Sequence, residues 1–173
     1  TPKQLLFSEP IIEKLGAKHE LLCTSREYEE VSKLSKIRHF DLIFVGKHGG
    51  GNKKTKLDAS IERINKLSKK IEKFKPDLVI SFGSPEASRI SFGLGIKHIM
   101  FCDSPHANAV MRLTLPLIQK LLIPYIIPKK EFSKYGISEK NIVQYKAIDA
   151  VVTMKRETNE KIASPFKNNN KKN

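Results

Sequence analysis

Short apolar runs alternate along this chain with stretches whose apolar residues recur every three or four positions. Leu57, Ile61, Ile64, Leu67, Ile71 and Phe74 are the clearest of the second kind, with lysines set between them. That spacing puts one apolar stripe on a helix, and Pro76 marks its end. Tyr28, Val31, Leu34 and Ile37 predict a helix over 27–38. Leu5, Leu6, Phe7, Ile11, Ile12 and Leu15 predict another over 4–15, with Pro10 kinking it or starting its regular part and Gly16 stopping it. The runs at 41–45 (DLIFV), 77–82 (DLVISF) and 97–102 (KHIMFC) are apolar without alternation. Strands covered on both faces have that pattern. Residues 19–24 (HELLCT), 122–127 and 141–145 predict three more strands, and 107–120 a further helix. Ser84, Pro85 and Glu86 have the chemistry of a helix start, and Gly93 and Gly95 close that helix.

Strands alternating with helices predict an α/β fold: a Rossmann-like parallel sheet with helices on both faces. One domain is expected over 1–154, followed by a Lys/Asn-rich tail over 155–173 whose composition predicts disorder. The alternation opens on a helix with no strand ahead of it. In doubly wound sheets the first strand lies near the centre. The expectation is therefore a missing first strand, with about ten residues upstream of Thr1 in a longer protein.

Composition changes this picture little. The formal net charge is +14, and the basic residues are mostly lysine. Residues 52–75 hold nine basic and three acidic residues, 129–146 five and two, and 155–173 six and two. The excess therefore sits on one helix, one late loop and the tail. A nucleic-acid groove interleaves arginine with aromatics, and this chain has no Trp, so nucleic acid is not an expected partner. The lysines read as a solvated surface; an acidic membrane surface or another polyanion is the functional alternative. No basic-apolar-small secretory pattern opens the sequence. The most apolar stretch, 113–128, is interrupted by Pro116, Gln119, Lys120 and Pro124 and is too short to span a bilayer. Cys23 and Cys102 read as buried thiols of a cytoplasmic protein, and no CxxC or HExxH spacing predicts a metal.

Ligands of open α/β sheets bind outside the carboxyl ends of the strands. Three loops there carry chemistry. Residues 46–51 place His48 among glycines; Gly49 and Gly50 would let backbone amides approach a phosphate or sugar, unless the loop is only a flexible lid. No GKS or GKT follows, and the helix is expected to start several residues later, so this is not a P-loop. Gly83 and Ser84 turn a strand into a helix N-terminus, where an anion is favoured; capping alone is the simpler role for Ser84. Asp103, Ser104 and His106, followed by Asn108 and Arg112, offer a carboxylate–imidazole pair for base catalysis, or a polar loop without it. His39 and His98 lie beside apolar runs and read as structural.

Five segments carry a family resemblance: TPKQLLFSEPI at 1–11, TSREYEE at 24–30, VGKHGG at 45–50, SFGSPEASRISFGLGI at 81–96 and FCDSPHANAVMRLTLPL at 101–117. With these the chain resembles an uncharacterised archaeal and bacterial family. That family is similar to the N-terminal half of GT-B-fold glycosyltransferases and UDP-N-acetylglucosamine 2-epimerases. The resemblance implies a short strand ahead of TPKQ and a second, C-terminal α/β domain. It implies an acceptor-side domain of an enzyme acting on a nucleotide-activated sugar, UDP-linked and needing no other cofactor. Glycosyl transfer is the expected reaction, with epimerisation the other activity of such folds. His48, Ser84, Asp103 and His106 would then face an interdomain cleft, with Asp103 or His106 as base. The alternative is a non-catalytic nucleotide- or polyanion-binding module.

Overall fold

The computed structural model describes residues 1–147. The chain runs α1 (Pro2–Gly16), β1 (Thr24–Glu27), α2 (Glu29–Ile37), β2 (Ile43–Lys47), α3 (Lys53–Phe74), β3 (Leu78–Phe82), α4 (Pro85–Gly93), β4 (Lys97–Phe101), α5 (Asn108–Thr114), β5 (Lys120–Pro124), α6 (Lys130–Ser133) and β6 (Ile142–Tyr145). All strand pairings are parallel, and they form two sheets, β1-β2 and β3-β4-β5-β6. The expected Rossmann-like α/β architecture is thus present.

Register shows how the layers form. Ser81 pairs with Met100, Met100 with Leu121 and Leu121 with Ile142, so these side chains share one face. Met100, Leu121 and Ile142 are buried there with Met111, Leu115, Ile123, Phe132 and Ile137. On the other face Phe82 pairs with Phe101, and α1 drops Phe7 onto both rings, with centroids 5.4 and 5.2 Å apart. Tyr145 joins at 6.3 Å. α3 lies on the face of α4, where Val45, Leu67, Ile71 and Ile90 make a second cluster. Helices on opposite faces follow from handedness: β1→β2 steps one way across the sheet and β3→β4 the other.

Several elements depart from their expected bounds. Of the HELLCT run only Thr24 lies in the strand, which continues through the polar Ser25, Arg26 and Glu27. Pairing with β2 decides this, because Thr24 meets Ile43, and the sheet reaches back only to a Cys23 carbonyl that accepts from the Ile43 amide at 2.9 Å. α3 starts at Lys53, ahead of its apolar stripe, because the Asn52 side chain accepts from the Lys54 amide at 2.7 Å. The helix expected over 107–120 ends at Thr114 and continues as a 3-10 turn over Leu115–Leu117, where Pro116 cannot extend an α-helix. β5 accordingly begins at Lys120 and ends at Pro124. The strands at 41–45 and 77–82 are not covered all round either: Ile43 is 37 % exposed, and Leu78 and Ile80 are each 42 % exposed. The expected tail over 155–173 lies outside the described residues. Among the described residues no helix is long and apolar enough to cross a membrane.

Candidate functional site

The carboxyl ends of β1–β4 carry several clusters of polar side chains. At β2 the loop 46–51 turns straight into α3, contrary to the expected spacer, since Asn52 caps the helix directly after Gly51. Gly49 is required there. A Cβ on it would stand 2.4 Å from the Thr55 carbonyl oxygen and 2.5 Å from the Lys56 Cα. Its packing against the first turn of α3 explains that glycine without a ligand. Gly50 has φ +70° and open space around it. His48 is exposed, its Nδ1 accepts from the Gly50 amide at 3.1 Å, and its ring lies 5.9 Å from that of Tyr28, just after β1.

At β3, Ser84 caps α4: its Oγ accepts from the Ala87 amide at 3.2 Å. Gly83, at φ +58°, makes the turn from strand to helix. The helix N-terminus that was expected to favour an anion already holds one. Glu86, in the first turn, is 2 % exposed and accepts from Ser60 Oγ at 2.8 Å, from Ser84 Oγ at 3.3 Å and from Arg26 at the end of β1. Arg63 of α3 brings Nε to 3.9 Å from the same carboxylate and donates through its other nitrogen to the Val45 carbonyl. Burial pushes the Glu86 pKa up, but the Ser60 hydroxyl and the Arg26 charge outweigh it and hold it below the usual carboxylate value. Burial draws the Arg63 guanidinium down, and Glu86 opposes that. Two guanidiniums face one carboxylate, leaving the cluster with a surplus positive charge.

At β4, Asp103 bonds to Lys3 of α1 and to Ser104 Oγ, the latter at 2.8 Å, rather than to His106. Lys3 also lies 5.7 Å from the Phe82 ring centroid, and Gln4 Nε2 donates to the Phe82 carbonyl at 3.4 Å. His106 and Arg112 are exposed. Asn108 opens α5, with its Oδ1 against the Tyr135 hydroxyl, which lies 3.2 Å from the Pro105 carbonyl oxygen.

The structure thus brings His48, Gly83, Ser84, Asp103 and Ser104 to one edge through a run of contacts: His48–Tyr28, Arg26–Glu86, Gln4–Phe82 and Lys3–Asp103. Arg112 has no place in that run. Lys3, Gln4, Arg26, Glu86 and Tyr135 were not singled out as site residues in the sequence. Lys3 and Gln4 were within the TPKQ segment, and Arg26 within TSREYEE, but nothing local points to their partners. No group of His, Cys, Asp and Glu suited to a metal occurs among the described residues. Asp103 and the carboxylate of Glu86 have cationic partners in Lys3 and Arg26.

Over residues 2–172 the chain matches the family described as protein of unknown function DUF354, and it belongs to that family. The match runs through the lysine- and asparagine-rich segment at the carboxyl end. The chain is 35% identical over 117 residues to the uncharacterized protein MJ0665 of Methanocaldococcus jannaschii, an alignment covering 68% of this chain and 34% of that protein. Its fold is similar to that of UDP-GlcNAc 2-epimerases. The Neisseria meningitidis enzyme bound to UDP-GlcNAc superposes with a TM-score of 0.62 at 19% identity, covering 80% of this chain and 42% of the enzyme. The Methanocaldococcus jannaschii epimerase gives 0.65 at 18% identity, over 83% of this chain and 43% of that one. The putative Listeria monocytogenes epimerase gives 0.64 at 15% identity, over 82% and 41%. The chain therefore spans about a third of its curated relative and about two fifths of these solved structures.

Proposed function

From the family's fold and the carboxyl-edge geometry, we propose that this chain is the acceptor-side half of a GT-B-like enzyme acting on a nucleotide-activated, UDP-linked sugar. The observation that carries the reading is the clustering of polar and charged side chains at the ends of β1–β4, among them the Arg26–Glu86–Arg63 cluster with its surplus positive charge. Arg26 and the amides of the 46–51 loop would take phosphate oxygens. Lys3 and Asp103, already fixed against each other, would bind sugar hydroxyls. Glycosyl transfer needs a base for the acceptor hydroxyl, and His106, exposed at the rim, or Asp103 would take that proton. A second α/β domain would close over this edge and supply the remaining donor contacts. Epimerisation at carbon 2 of the sugar is the second reading, favoured by the fold shared with the epimerases.

The test is calorimetric titration with UDP-GlcNAc and with inorganic polyphosphate at low and high salt. The reading expects UDP-GlcNAc affinity to change little with salt and to fall about tenfold in Lys3→Ala, a loss near that of one hydrogen bond. Equal affinity for polyphosphate, falling steeply with salt, would show a lysine-based polyanion binder instead.

A further inference from the structure

The apolar stripe of α3 is wider than the fold covers. Leu67 and Ile71 are buried with Val45 of β2 and Ile90 of α4, and Ile64 packs part-way in. Leu57 and Ile61, at the start of the same stripe, stay 57 % and 55 % exposed. On α4, Phe92 is 57 % and Leu94 45 % exposed. A groove runs between the two helices, with Ile61, Ile64 and Ser68 on the α3 side and Ile90 and Leu94 on the other. The four exposed side chains present roughly 450 Å² of apolar surface on this helical face, well into the range of the largest patch on a monomer. Arg89, which also lines the groove, lies back along α4: a Cβ on Gly93 would stand 3.0 Å from its Nη1. Glu72 follows Ser68 by one turn on the same side of α3. Both charges are exposed, and neither has an ion-pair partner among the described residues.

We propose that the α3–α4 face docks a second copy of this chain. The pairing is two-fold, with Ile61 and Leu94 near its centre and Arg89 of each copy against Glu72 of the other. Three observations select this occupant. First, the rim of the groove carries both signs of charge: Arg89 and Glu72, and beside Leu57 the Lys54–Asp58 pair at 2.5 Å. A two-fold axis makes such a rim complementary to itself. Second, Lys66, Lys70 and Lys73, which would suit an anionic surface, lie on the opposite side of α3 from Ile61, Ile64 and Ser68. The groove therefore has no dominant charge to choose a partner of one sign. Third, the four apolar side chains of each copy together remove roughly 900 Å² from water, and the rim brings the total into the range of about 1,200–2,000 Å² that a specific dimer needs. None of the carboxyl-edge residues lies on this face, so the inference stands apart from the nucleotide-sugar reading.

Sedimentation velocity of the 173-residue chain, from about 1 to about 100 µM, reads the pairing directly. The 19.7 kDa chain is expected to move to twice its mass across that range. Ile61→Asp should weaken the dimer by about 100-fold or more, because each dimer receives the buried carboxylate twice. Arg89→Glu should weaken it by about tenfold or more, and adding Glu72→Arg should return it to within about threefold of the native chain. Circular-dichroism melts confirm that each variant folds. Arg89 and Glu72 are exposed, so the charge exchange decides the matter even if Ile61→Asp fails to fold. A native chain that stays monomeric at the highest concentration would overturn the proposal. So would a dimer that ignores both single substitutions, or one that the charge exchange does not restore. A monomer that instead sediments with phosphatidylserine vesicles, and loses them in Ile61→Asp, would give the face to a lipid surface and overturn it too.

Discussion

His98 is fully buried, with Nε2 2.8 Å from Ser81 Oγ and Nδ1 3.1 Å from Ser91 Oγ. Ser91 spends its own proton on the Ala87 carbonyl. Nδ1 must therefore donate to Ser91, and Nε2 accept from Ser81, which fixes one neutral tautomer. Burial lowers the His98 pKa to about 4. In an unfolded chain the ring would take up its proton near 6.5. Between those values the unfolded state holds the extra proton, so stability falls as pH drops through the window, by about 3 kcal/mol in all. Urea midpoints at pH 7, 5.5 and 4.5 should decline in the native chain and decline clearly less in His98→Gln; equal declines would refute this account of the ring. An apolar neighbourhood was enough to mark His98 as structural in the sequence. Its two serine partners, ten residues apart in β3 and α4, meet it only through the βαβ fold.

Among the elements, the Glu86 cluster ties β1, α3 and α4 together. Its carboxylate is buried with Arg26 and Arg63 on either side. Glu86→Gln would leave two partly or wholly buried guanidiniums facing one another without a counter-charge. The expected loss is roughly 3 kcal/mol in urea denaturation, the scale for breaking a buried pair from one side. A loss under about 1 kcal/mol would mean that the cluster is well solvated. In the sequence Glu86 was legible only as a first-turn acid. Its partners lie at Arg26 and Arg63, far away in the chain, and no local pattern announces them. The same limit explains the strand errors. Apolar character selected HELLCT, but a parallel strand is placed by its neighbour's register, and that neighbour begins at Ile43. Helices read better because their stripe and caps are local; what was missed is the start of α3, which Asn52 caps before the stripe begins, the early end of α5 ahead of Pro116, and the single turn of α6.

For the whole molecule, continuous apolar runs separated by helical stripes were enough to give the parallel α/β architecture and to put the three candidate loops at the carboxyl ends of strands. Two features were beyond that pattern. One is that α1 contributes Lys3 and Gln4 to the edge. The other is that the described strands fall into two sheets, β1-β2 and β3-β4-β5-β6. Charge also belongs to this scale. The lysines of α3 at 66, 69, 70 and 73 lie on its exposed side, while the carboxyl edge carries mostly paired charges. The polyanion and nucleotide-sugar readings therefore predict different footprints. Hydrogen exchange of the intact chain with and without UDP-GlcNAc separates them most directly. The account predicts added protection at residues 46–51, 82–84 and 103–108, with α3 beyond its first turn unchanged. Protection centred on residues 66–73, or none at the carboxyl edge under saturating ligand, would contradict it.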